Sequence, residues 1–178
     1  MKTLGIDPGV AITGFSIVEE NNGVFQCLAS GCIRTTKKTA PAQRLLLIHN
    51  QVLELIAQFE PEAVAVEKIF FSKNVRTAFQ VGEARGVILL AASRADLDCF
   101  EYTPLQVKQA VAGYGKAEKA QVQKMVQMLL KLPAQPAVDD EADAMAVALC
   151  HLQNRRYQNA VKGGETNYRL FKGTPGSR

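Results

Sequence analysis

Lys2-Thr-Leu-Gly-Ile-Asp7-Pro-Gly9-Val-Ala-Ile-Thr-Gly14-Phe-Ser-Ile-Val18 reads as a strand, a tight turn and a second strand. Leu4 and Ile6 are apolar, Asp7 closes the first strand, and Pro8-Gly9 is a turn dipeptide. Phe15, Ile17 and Val18 resume a strand pattern, with Gly14 allowing close backbone approach. A carboxylate set directly before a tight turn is held on rigid backbone at the edge of a sheet, which suits a metal ligand. Taken alone, Asp7 equally well starts an Asx-turn.

The chain downstream repeats the motif. Asn21-Asn22-Gly23 is a hairpin signal, so Val24 to Arg34 forms a third, antiparallel strand. Pro41 opens a helix whose Leu45, Ile48, Val52, Leu55, Ile56 and Phe59 recur at helical spacing to about Glu60. Glu62 to Glu67 is then a short apolar strand that again ends in a carboxylate. In open α/β sheets, sites form at the carboxyl ends of parallel strands. A helix from about Val75 to Arg94 carries Gly82-x-x-x-Gly86, a spacing that serves either packing on its own sheet or a dimer. Asp98 to Tyr102 is a fifth strand, and Pro104 to Ala112 a short helix. Ala117 to Leu130 is an amphipathic helix with Val122, Met125, Val126 and Leu129 inward and Lys119, Gln123 and Lys124 outward. The last helix begins near Asp139 and runs to His151. The order β1β2β3-α-β4-α-β5-α is an α/β arrangement.

Acids in the first turn of that last helix suit its dipole. Asp143 is not explained this way, because it borders the stripe of Ala142, Ala146 and Leu149. A carboxylate beside a buried stripe is costly unless it is paired or on a metal. Asp7, Glu67, Asp140 and Asp143 converge if the first and fourth strands are neighbours and the last helix crosses their ends. Like charges ~4 Å apart repel by about 4 kcal/mol at an effective dielectric of 20. Such a cluster has one common purpose, binding hard divalent cations, and two ions would activate water for phosphodiester hydrolysis.

Bulk properties narrow the class. The 178 residues suit one domain, and 47% hydrophobic content excludes a mainly disordered chain. No apolar run reaches the roughly 18 residues of a membrane span. Asp7 and Pro8 interrupt the only stretch that could serve as a secretory leader, so a cytoplasmic location is expected. Cys27, Cys32, Cys99 and Cys150 show neither CxxC nor zinc spacing and read as reduced thiols. Adjacency of Cys150 and His151 does not orient a base. The net charge of +4 lies in the tail: residues 155–178 hold six basic residues and one acidic. Its glycines argue against regular structure. The division expected is a domain over 1–155 and a basic tail over 156–178.

Gly5-Ile-Asp7-Pro-Gly9-x-x-x-Thr13-Gly14, the strand ending at Glu67, Phe70-x-x-Lys73-Asn74, Gly82-x-Ala84-Arg85-Gly86 and Asp140-x-x-Asp143-Ala144 together resemble a RuvC-type Holliday-junction resolvase. The resemblance runs in order through about residues 1–155. It implies an RNase H-like fold, with a five-stranded mixed sheet of order 3-2-1-4-5 flanked by helices. It implies a homodimer making paired symmetric nicks in four-way DNA junctions during recombination and repair. It further implies Mg2+ or Mn2+, two ions per site, and a RuvA–RuvB branch-migration complex as partner. The family's four acidic ligands fall on Asp7, Glu67, Asp140 and Asp143. Asp139 stands one residue early for that pattern and is read as a helix cap. Phe70 matches an exposed aromatic that stacks on unpaired bases at the junction centre. Lys73, Asn74, Arg76, Lys108, Lys116 and Lys119 are candidate phosphate contacts. Two other readings remain: an RNase H-like nuclease acting on ribosomal RNA precursors, and a non-catalytic junction-binding module. An actin-like kinase needs two such domains, for which 178 residues leave no room.

Overall fold

Strand β1 (Lys2–Asp7) lies at the centre of a sheet, between β2 (Ile12–Asn21) and β4 (Ala63–Glu67). With β3 (Val24–Arg34) and β5 (Cys99–Tyr102) the order is β3-β2-β1-β4-β5, as expected. The first three strands form an antiparallel meander, while β4 and β5 run parallel to β1. The coordinates are a computed structural model, and they describe residues 1–68 and 75–160, with the side chains of 75, 76, 159 and 160 also outside the description. Phe70, Lys73, Asn74 and the side chain of Arg76 therefore lie outside the described residues, as does the tail beyond residue 160.

The period of two along a strand sends alternate residues to opposite faces. Leu4, Ile6, Val64 and Val66 enter one core, with Ile48, Val52 and Ile56 of α1 (Pro41–Phe59) and Ala84, Ile88, Ala91 and Ala92 of α2 (Val75–Arg94). The other face is covered by α5 (Asp139–Ala160), backed by α3 (Pro104–Ala112) and α4 (Lys119–Leu129). There Met145 to Cys150 and Leu152 pack with Val107, Val111, Val122 and Val126.

Local chemistry explains the boundaries. Asn22 and Gly23 take φ of 51° and 85°, the left-handed pair that a two-residue hairpin turn demands. Pro41 stands in the first turn of α1 as expected. Helix α4 starts at Lys119 rather than Ala117, because Glu118 is its N-cap and closes a capping box with Gln121. Helix α5 continues to Ala160, past the residue 155 at which the sequence suggests a change of character. Among the described residues no helix is long and apolar enough to cross a membrane.

Candidate active site

The site is built where β1 and β4 end. Ile6 pairs with Val66 in parallel register, so Asp7 and Glu67 close adjacent strands. Asp7 in turn pairs with Gly14 across β2. Gly14 lies against the main chain of α5: a Cβ there would collide with the Asp140 carbonyl. A Cβ on Gly5 would likewise collide with the Ala144 carbonyl. Strand and helix thus touch backbone to backbone at two points. This contact carries the start of α5, with Asp140 and Asp143, to the carboxyl end of β1.

The electrostatics record that convergence. Asp7 is pushed up to about 8, first by burial, then by the charges of Glu67, Asp143 and Asp140. Glu67 is also raised by burial, opposed by a hydrogen bond with Asp7. Asp143 is raised by burial and opposed by Lys119, whose Nζ donates to Oδ2 at 3.0 Å. The same ammonium is 3.2 Å from Asp139 Oδ2. Asp7 therefore lies within electrostatic reach of Glu67, Asp140 and Asp143, and Lys119 offsets the charge of Asp143.

Asp139 corrects an expectation. It is not the cap of α5 but its first residue, and Ala142 N donates to Val138 O at 3.2 Å. Its carboxylate turns to α4, accepting from Gln123 Nε2 at 2.8 Å as well as from Lys119. A donor pair one turn apart on α4 outcompetes the local backbone. Lys119 and Gln123 had been read as solvent-facing; the signal for their role was that they share one helical face at i, i+4.

The other candidates separate. Lys108 and Lys119 line a cleft of about 180 Å³ with Glu67 and Asp143. Lys116 is exposed and is not among that cleft's lining residues. Cys150 is buried, its thiol pushed up to about 12 by burial, and Asn154 Nδ2 donates to it. His151 faces away to the Tyr102 hydroxyl at 2.8 Å and packs on the Phe100 ring. Burial pushes it down to about 4, so Cys150 and His151 form no nucleophile and base pair. His49 is buried beside Asn50.

Among the described residues no three acidic, histidine or cysteine side chains are gathered tightly enough to grip one ion. The donor set nevertheless fits hard divalent cations. It offers carboxylate oxygens alone, and burial and mutual repulsion drive Asp7, Glu67 and Asp143 toward neutrality, which a cation supplies in place of a proton.

Acids at the ends of two neighbouring parallel strands, joined by two from a crossing helix on a 3-2-1-4-5 sheet, define an RNase H-like nuclease fold. The model of the family described as "Crossover junction endodeoxyribonuclease RuvC" matches residues 3–151. The chain belongs to this family. A relative of that name from Pelotomaculum thermopropionicum is 52% identical over 162 residues, covering 91% of this chain and 99% of the relative. One from Moorella thermoacetica is 55% identical over 151 residues, covering 85% and 90%. Among solved structures, T. thermophilus RuvC in complex with Holliday junction substrate superposes with a TM-score of 0.85 at 39% identity, covering 88% of this chain and 96% of that one. The protein is a metal-dependent endonuclease of the RuvC family, and the ribosomal-RNA and non-catalytic readings find no support.

Proposed function

We propose that the protein resolves four-way DNA junctions by paired symmetric nicks, using Asp7, Glu67, Asp140 and Asp143 to hold two Mg2+ ions, with Mn2+ able to substitute. The observation that carries this is the convergence of Asp7 and Glu67 with the first turn of α5 in a chain of this family. Divalent cations supply neutralisation of the phosphate and activation of water for in-line hydrolysis. Asp7 and Glu67 would hold the cations as ionised carboxylates at the ends of β1 and β4. Lys119, half exposed, holds Asp143 until a cation or phosphate competes for it. Lys108 stands at the same cleft to take a backbone phosphate. Roles for Phe70 at the junction centre and for Lys73, Asn74, Arg76 and Lys116 on phosphates rest on the family resemblance, as do a RuvA–RuvB partner and a cytoplasmic location. The basic stretch 156–178 is assigned a secondary part in tracking phosphates. With magnesium, synthetic four-way junctions should be nicked at symmetric positions in opposed strands, while linear duplex and RNA stay intact. Equal cutting of linear duplex would remove the junction assignment.

Paired nicks require two sites related by a two-fold axis. Helix α2 supports a homodimer. Phe79 is 72% exposed and Leu90 59%. Gly86 shares their face, and a Cβ there would meet nothing within 4 Å. Its lack of a side chain therefore serves no contact with its own sheet. Leu90→Asp is expected to give a folded monomer by sedimentation, with an unchanged melting temperature and single rather than paired nicks. An unchanged dimer would place the interface elsewhere.

A further inference from the structure

A second, larger cleft has Asp140 in its wall, where the Lys108–Lys119 cleft has Glu67 and Asp143. It encloses about 660 Å³ and is walled by the turn from Gly9 to Ile12, the loop before α1, and the start of α2. Among the described residues its cations are Lys37 and Arg44, and its acid is Asp140.

Arg44 differs from a surface arginine. Only 9% of it is exposed, and its Nε donates to Thr35 Oγ1 at 2.7 Å. That hydroxyl donates to Val10 O at 2.5 Å, and Thr35 N donates to Ala11 O at 3.0 Å. The guanidinium is thus tied through Thr35 to the turn that follows Asp7. Among the described residues no carboxylate pairs with Arg44, and no protein acceptor takes its two terminal amino groups. These amino groups are not sealed away from the surface, so the cleft leaves them open to pair with an anion. The cleft that Arg44 lines is the place from which such an anion would come.

We infer that this cleft is a phosphate-binding subsite for the strand being cut, with Arg44 gripping one backbone phosphate through its terminal amino groups and Lys37 touching a neighbour. The inference rests on the junction-nuclease reading above. A strand lying across the acids meets Lys108 and Lys119 on one flank and Arg44 and Lys37 on the other. The scissile phosphate is then fixed from both sides, and Arg44 acts as a positioning residue. Its tie to the turn beside Asp7 sets the held phosphate in fixed relation to that carboxylate.

The test replaces each phosphate near the nick, one at a time, with a neutral methylphosphonate and measures single-turnover cleavage of the junction with magnesium. In the wild type, one replacement on one flank should slow cutting about tenfold, the worth of a charged hydrogen bond. In Arg44→Gln that same replacement should cause no further loss, while in Lys108→Ala the silent position falls on the opposite flank. Losses that multiply at every position would overturn the inference and leave the nuclease reading standing. Wild-type protein that cuts no junction would overturn both. Should Arg44→Gln fail to fold without its bond to Thr35, Lys37→Ala on the exposed loop must silence a phosphate on that same flank, or the inference falls.

Discussion

Asp7→Asn protein is expected to bind a four-way junction nearly as tightly as wild type and to cut it about a thousandfold more slowly or worse. Cation stabilisation of a phosphodiester transition state is worth several kcal/mol, and each 1.36 kcal/mol is a factor of ten. The proposed assignment puts Asp7 at the centre of that stabilisation, since the charges of Glu67, Asp143 and Asp140 all act on it. Binding rests instead on basic groups and shape, which the substitution leaves alone. The control is Asp139→Asn. Its side chain is mostly exposed and its carboxylate is occupied by α4 donors, so cleavage should stay within a few-fold of wild type. Single-turnover cleavage and gel-shift titration of the same preparations decide the matter. Comparable losses in the two variants would show that Asp7 has no special place in the reaction.

Chelator-treated wild-type protein should lose stability to Asp7 as pH rises from about 4 to about 8. The sign follows from proton binding. Asp7 has its ordinary value of 3.8 when unfolded and about 8 when folded. Below 3.8 both states hold the proton and Asp7 contributes nothing. Between the two values only the folded state holds it, so each rise in pH favours unfolding; above about 8 the cost is constant. For a buried, mutually repelling group the total is on the order of a few kcal/mol, or roughly 5–15 °C in melting temperature for a chain of this size.

His151 works the other way. It is held at about 4 against 6.5 when unfolded, so it adds stability as pH rises between those values. The two slopes oppose each other below 6.5, while Glu67 and Asp143, also raised, slope the same way as Asp7, so the comparison with a variant isolates the share of Asp7. Asp7→Asn in chelator should therefore melt higher than wild type at pH 8, and the gap should close as pH falls toward 4. Magnesium should raise wild type by mass action and the variant less. Thermal melts across that range with and without chelator measure both. A constant difference between the two proteins at every pH would mean that Asp7 is not strained.

Much of this was legible in the chain because its cues are local. Apolar runs ending in Asp7 and Glu67 marked two strands and two ligands, Asn22-Gly23 marked the hairpin, and Pro41 marked the start of a helix. What stayed hidden depends on elements distant in sequence. Asp139 looked like a cap because it opens a helix; that α4 would present Lys119 and Gln123 to it is a matter of helix packing. Lys119 looked solvated because its own helix turns it outward, yet outward from α4 is toward α5. Arg44 carried no signal, since a lone arginine in an amphipathic helix reads as exposed. Its burial follows from the loop at Thr35 folding over it.

The bare contacts of Gly5 and Gly14 with the main chain of α5 give the molecule a fixed datum. Where helices rest on side chains, their height above the sheet drifts with every change of volume beneath them. Here the helix rests on the strands themselves, so its height is set by atoms that no substitution elsewhere alters. The side chains of the interior can then change without altering the spacing that these two backbone contacts set between strand and helix. One methyl at residue 14 would undo what wholesale repacking spares, lifting Asp140 and Asp143 together as a rigid pair away from Asp7 and Glu67.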